Sequence, residues 1–161
     1  VIDFSSLLST LNNAGVEFIL VGGVAATIHG SARLTLDLDV VYRRSSENMK
    51  RLIQSLKSYD PYLRGAPPGL PFQWDVETLH RGLNFTLITK LGPIDLLGEI
   101  TGGGTYEQLL ASTVIVTAFG LNCRCITLDR LIEVKRAAGR TKDFEVIAEL
   151  EALREERNRP S

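Results

Sequence analysis

Residues 17–42 leave few options for the chain around them. Residues 17–21 are rich in β-branched and aromatic side chains and stop abruptly at Gly22 and Gly23, the pattern of a buried strand ending in a tight turn. Residues 24–29 form a short apolar run with two alanines, closed by Gly30, suited to a helix packed closely on a sheet. From 34 to 42 the pattern alternates, with Leu34, Leu36, Leu38 and Val40 on one face and Thr35, Asp37 and Asp39 on the other. The spacing predicts strand, glycine turn, helix, and a second strand presenting two carboxylates.

The flanking sequence fits the same plan. Residues 3–14 carry Phe4, Leu7, Leu8 and Leu11 at helical spacing, with Asp3 placed to cap and Gly15 to terminate. Residues 45–57 predict a serine-capped helix, and Pro61 with residues 65–71 a loop. Residues 84–89 and 93–97 predict a hairpin. Short strands are expected at 114–118 and 123–126, and helices at 106–111, 127–138 and 141–157, the last with Phe144, Ile147, Leu150 and Leu153 as its apolar stripe. Strands mixed with helices on a chain of 161 residues predict one α+β domain, a mixed sheet flanked by helices. Its core is expected over about 1–100, with further strands and helices over 101–161.

A formal charge of −1 supplies no bulk attraction to nucleic acid or an anionic membrane. No apolar run is long enough to span a bilayer and no secretory leader is apparent, so a cytoplasmic location is the expectation. Cys123 and Cys125 lack companions at zinc-ligand spacing and read as buried structural thiols. His29, at a predicted helix end, and His80, on a predicted loop or strand edge, read as structural and surface residues.

The chemistry lies in the acidic residues. Two carboxylates two apart on a strand repel unless they share a cation, and magnesium or manganese prefers such oxygen ligands together with phosphate. Asp95, between Ile94 and Leu96 on another predicted strand, could converge on the same ions. Gly22 and Gly23 open a helix after a buried strand, where backbone N–H groups can face a phosphate. Each feature also has a plain reading: a polar strand face for the carboxylates and a tight turn for the glycines.

Read together, Leu20-Val21-Gly22-Gly23 and Asp37-Leu38-Asp39-Val40 resemble the signature of the DNA polymerase beta-like nucleotidyltransferase superfamily. Gly22-Gly23-Val24-Ala25, His29-Gly30, Arg33, Thr35 and the aspartate pair look like its small bacterial branch, which holds AbiEii-type toxins and minimal nucleotidyltransferases; lincosamide-resistance nucleotidyltransferases are similar here. Leu131, Lys135, Arg140, Lys142 and Asp143 resemble a recurring pattern near the carboxyl end of that branch. The resemblance implies a nucleotidyltransferase fold with C-terminal helices, and transfer of a nucleoside monophosphate from an NTP to an acceptor hydroxyl. Asp37, Asp39 and Asp95 would hold Mg2+ or Mn2+, and Asp95 could take the acceptor's proton. Gly22, Gly23, Arg33 and Lys135 would bind the nucleotide, although a salt bridge for Arg33 and an ordinary helix charge for Lys135 remain open. The acceptor could be tRNA or another RNA, a protein or a small molecule such as an antibiotic; a toxin would have an antitoxin partner, and a non-catalytic binding module is the alternative. Where the family often has glycine-serine, Gly23 offers only backbone.

Overall fold

The computed structural model describes residues 4–160. Its elements, in order, are α1 (Phe4–Asn13), β1 (Phe18–Val21), α2 (Gly22–Ile28), β2 (Leu38–Tyr42), α3 (Ser46–Leu56), β3 (Tyr62–Leu63), α4 (Val76–Arg81), β4 (Asn84–Thr89) and β5 (Gly92–Leu97). There follow β6 (Glu99–Ile100), β7 (Gly104–Thr105), α5 (Tyr106–Leu109), β8 (Thr113–Ala118), β9 (Leu121–Ile126), α6 (Leu128–Ala138) and α7 (Phe144–Arg157). Asp3, the expected cap of α1, lies outside the described residues.

A seven-stranded mixed sheet in the order β3-β4-β5-β2-β1-β9-β8 organises the chain, and β6 and β7 form a separate two-stranded ribbon. β1 runs antiparallel to β2 and parallel to β9, while β2 is parallel to β5. All four residues of β1 are buried, which requires cover on both faces of the sheet. That cover comes as two helix groups: α1 meets α3 and α3 meets α4, while α2 meets α6 and α6 meets α7. The strand β9 lies beside β1, so the C-terminal strands extend the sheet that the first half of the chain begins. This is the α+β architecture that the sequence pattern predicts.

Local chemistry sets the helix ends. The Ser45 hydroxyl accepts from the Asn48 N–H at 3.2 Å, and the Thr127 hydroxyl accepts from the Arg130 N–H at 3.2 Å. Gly139 closes α6 at φ 63°, a left-handed conformation that glycine adopts without a Cβ penalty.

Three expectations need correction. The alternating stretch does not run as a strand from Leu34: β2 begins at Leu38, and Leu34 and Leu36 are 87% and 60% exposed. β1 ends at Val21 opposite Asp39, and the pairing with β5 starts at Leu38, so among the described residues no strand pairs with 34–37. An unexpected helix, α4, is nucleated by the Asp75 carboxylate, which accepts from the Thr78 N–H at 2.8 Å. It places His80 in a helical last turn. Phe144 is 60% exposed rather than part of the buried stripe, because α7 begins at that residue and only Ile147 and Leu150 behind it are buried. The expected short helix at 106–111 is present, as a single α-turn, α5, that continues into a 3-10 turn.

Candidate active site

Parallel pairing of β2 with β5 sets Asp39 directly opposite Asp95. The same residue sits opposite Val21, so the glycine turn that follows β1 is delivered to the Asp39 carboxylate. Gly22 has φ 64°, and a Cβ there would lie 2.8 Å from Asp39 Cγ and collide with its Oδ2. Only glycine lets the start of α2 pass this close to the carboxylate. A side chain at Gly23 would likewise collide with the Thr35 hydroxyl, its Cβ lying 2.9 Å from that of Thr35. A hydroxyl therefore stands beside the glycine pair, brought by the 34–37 loop.

Asp39 is half-buried, and its Oδ1, buried, has no hydrogen-bond partner among the described residues. Its pKa is raised from 3.8 to about 7, first by burial, then by a hydrogen bond with the Asp95 side chain and by the charges of Asp95 and Asp37; Lys135 pulls it down. Asp37, in the loop just ahead of β2, is the more open carboxylate, its side chain 42% exposed against 21% for Asp95. Its Oδ1 lies 3.5 Å from Arg64 Nη1, and Arg64 Nη2 contacts Asp95 Oδ1.

Asp39 and Asp95 form one side of a cavity of about 330 Å³, which they and Gly22 and Asn84 line together with Lys135 and Arg140; Asp37 lies outside its lining. The cationic side has its own internal support. Asp143 is buried; its Oδ2 accepts from Arg140 Nε at 2.6 Å and its Oδ1 lies 3.8 Å from Lys135 Nζ. Burial depresses the Lys135 pKa, opposed by Asp143 and more weakly by Asp39. The cavity thus has an acidic wall from the sheet and a basic wall from α6 and the turn after it, a charge pattern complementary to a cation and a polyanion held side by side.

Arg33 stands apart from this cavity. Its guanidinium pairs with Glu145 at 3.0 Å and Glu149 at 3.9 Å on α7, and it lines a smaller neighbouring recess with Gly23, Thr35 and Lys135. His29 is buried and structural: Nε2 lies 2.7 Å from the Ile126 carbonyl and Nδ1 lies 3.2 Å from Arg157 Nη1. Ring and backbone contacts there fasten the end of α7 to α2. Cys123 and Cys125 are free and buried, and burial pushes the Cys125 thiol up to about 12, far from a reactive thiolate.

Carboxylate oxygens are the donors that magnesium or manganese favours, and the unpartnered Asp39 Oδ1 beside Asp95 suits such an ion. Among the described residues, however, no group of three or more His, Cys, Asp or Glu side chains is gathered to hold a metal ion. Arg64 draws Asp37 and Asp95 to itself instead. The donor chemistry fits the ion, with Arg64 as the competing cation. Arg64 and Thr35 are the site residues whose roles sequence reasoning missed. Arg64 lies in no recognisable motif; Thr35 belongs to the motif but was read only as a residue of the strand face.

No protein-family profile matches the sequence, and no curated protein matches it. Solved structures do match. The lincosamide antibiotic adenylyltransferase LnuA, solved with lincomycin bound, superposes with a TM-score of 0.61 at 15% identity, over 93% of this chain and 95% of that one. A protein of Thermotoga maritima provisionally assigned as a nucleotidyltransferase gives 0.58 at 13% identity, over 91% and 88%. ANT(2")-Ia, in complex with adenylyl-2"-tobramycin, gives 0.55 at 14% identity, over 94% and 92%. At these identities the likeness shows the fold, which is that of the nucleotidyltransferases. Among the described residues, no helix is long and apolar enough to cross a membrane.

Proposed function

We propose that this chain is a metal-dependent nucleotidyltransferase that moves a nucleoside monophosphate from an NTP to an acceptor hydroxyl. The observation that carries the reading is Asp39: a half-buried carboxylate whose Oδ1 is buried and unpartnered, set by strand register against Asp95 and faced across one cavity by Lys135. A purely structural aspartate would be neutralised by a hydrogen-bond donor or removed, because a buried unpaired polar atom costs about 1–3 kcal/mol.

In this reading Asp37, Asp39 and Asp95 hold Mg2+ or Mn2+. Bound there, the ions would neutralise charge on the phosphates and lower the pKa of the acceptor hydroxyl. The hydroxyl oxygen forms a bond to the α-phosphorus, the bond from that phosphorus to the bridging oxygen breaks, pyrophosphate leaves, and Asp95 receives the hydroxyl proton. Gly22 and Gly23 bring bare backbone to the phosphates, and Lys135, held by Asp143, adds a charge-assisted contact. Arg33, committed to Glu145 and Glu149, orders the 31–37 loop and contributes to phosphate binding only if those pairs open.

A small-molecule acceptor is the reading that the fold neighbours favour, since one was solved with lincomycin and another with an adenylylated tobramycin. RNA or protein acceptors, and an antitoxin partner, are the alternatives suggested by the resemblance to AbiEii-type toxins. A second reading, a nucleotide-binding module without catalysis, is favoured by one observation: Arg64 occupies two of the three carboxylates. The deciding experiment incubates the protein with each labelled NTP and Mg2+ or Mn2+, offering aminoglycosides, lincosamides, tRNA and cell-extract proteins. Label should pass to one acceptor class and be lost in Asp37→Asn and Asp39→Asn. Nucleotide binding with no labelled acceptor, unchanged in both variants, would leave only the binding module.

A further inference from the structure

Arg64 follows the two-residue edge strand β3 and reaches over β4 to the carboxylates. Its backbone N–H donates to the Thr86 carbonyl at 3.0 Å, and Nη1 donates to the Leu87 carbonyl at 3.3 Å. The guanidinium thus arrives from the sheet edge, anchored on β4, and spans Asp95 on β5 and Asp37 ahead of β2. Behind it the chain enters the loop 65–71, whose glycines Gly65 and Gly69 have nothing within 4 Å of the place a Cβ would take. Arg64 and the loop behind it thus lie at the edge of the sheet.

Its hold on the carboxylates is uneven. The guanidinium engages Asp95 and Asp37, and its contact with Asp37, at 3.5 Å, is longer than the 2.7–2.9 Å of a charge-assisted hydrogen bond. Asp39 Oδ1 receives nothing from it. A divalent ion would satisfy the group better, but it needs the oxygens that Arg64 engages.

We infer that Arg64 is an internal cation that holds the site in a metal-free form, so that metal loading requires the guanidinium to withdraw from Asp37 and Asp95. The inference rests on the metal-site reading proposed above. Apparent affinity is then the intrinsic affinity multiplied by the fraction of molecules with the clamp open: a clamp closed nine times in ten weakens binding about tenfold. Withdrawal would leave the hydrogen bond between the Arg64 N–H and Thr86 intact, because only the side chain has to move.

The test is calorimetric titration of Mn2+ into metal-free full-length protein, comparing wild type, Arg64→Gln, Arg64→Lys and Asp39→Asn. Arg64→Gln should bind about tenfold more tightly than wild type, Arg64→Lys should fall between them, and Asp39→Asn should lose binding. An independent measurement covers the case in which Arg64→Gln fails to fold: the arginine side-chain NMR signal absent from Arg64→Lys should shift in wild type on saturation with Mg2+. Equal or weaker binding by Arg64→Gln, or an Arg64 signal unmoved at saturation, overturns the clamp and leaves the metal site standing. If wild type, Arg64→Gln and Asp39→Asn all fail to bind metal, the metal-site reading falls and takes the clamp with it.

Discussion

Replacing Asp39 with asparagine should make the metal-free protein more stable at neutral pH, although it removes a residue from the proposed active site. In the unfolded chain the carboxyl ionises at its ordinary value of 3.8; in the folded chain it keeps its proton to about 7. Below 3.8 both states are protonated and the group is neutral to folding. Between 3.8 and about 7 the unfolded state releases a proton that the folded state retains, so stability falls as pH rises through this window and stays reduced above it. The full displacement corresponds to about 4 kcal/mol, and because Asp95 shares the proton, about 2–4 kcal/mol is the expected difference. Asparagine keeps the shape, carries no charge and can donate to Asp95. Urea unfolding with a chelator present, at about pH 4 and about pH 8, should give nearly equal stabilities at the lower pH and a clear advantage for Asp39→Asn at the higher. Excess Mg2+ should then narrow the gap by stabilising wild type alone. Parallel pH profiles for the two proteins would refute the assignment of Asp39 as a half-buried, strained carboxylate.

Further predictions concern the scaffold around that group. Burial lowers the His29 pKa below 6.5, so the folded state binds its proton later than the unfolded state as pH falls. Stability should decline as the pH drops through 6.5 toward the folded value, and His29→Gln should flatten that part of the profile in thermal unfolding. Asp143→Ala would leave Lys135 and Arg140 without their shared partner; a loss of about 3 kcal/mol, read by urea unfolding, is expected from breaking one buried ionic partner, together with weaker nucleotide binding. Gly22→Ala should cost more than the usual about 1 kcal/mol for a left-handed position, because its methyl group would also meet Asp39; it should therefore impair Mn2+ titration as well as stability, whereas Gly139→Ala, with no close neighbour but Arg136, should affect stability alone.

The parts of the fold that could be read from sequence are those in which one periodicity acts alone. The helix α3 has a serine cap and a clean apolar stripe, and its bounds in the structure are within a residue of those expected. The β4–β5 hairpin was equally plain, since alternation and a short glycine connection agree. The errors arose where a pattern depends on neighbours. Leu34 and Leu36 continue the alternation of β2 on paper, but strand formation needs a partner, and β1 has already ended at Val21. No local signal in 34–37 records the length of another strand. The helix α4 escapes sequence reading for the opposite reason: with one fully buried residue, Leu79, it offers little apolar pattern.

The active-site proposal divides the same way. Asp39, Asp95 and Gly22 were named from residue type and spacing, and the structure sets them against one another by β-register, a relation that follows once β2 and β5 are paired in parallel. Lys135 rests in sequence only on the resemblance of Lys135, Arg140 and Asp143 to a family pattern; in the structure it pairs with Asp143, which is buried one turn beyond the end of α6 and bonded also to Arg140. Arg64 could not have been found at all. It sits in a segment whose prolines and glycines announce only a loop, and its partners lie more than one strand away across the sheet. A cation that balances a carboxylate cluster has no required spacing from it in sequence, because a long flexible side chain can arrive from any adjoining element. That freedom is also why Arg64 can act as a removable counter-charge: Asp39 and Asp95 are fixed by the register of central strands, while the arginine is fastened to β4 through its backbone and its side chain can leave.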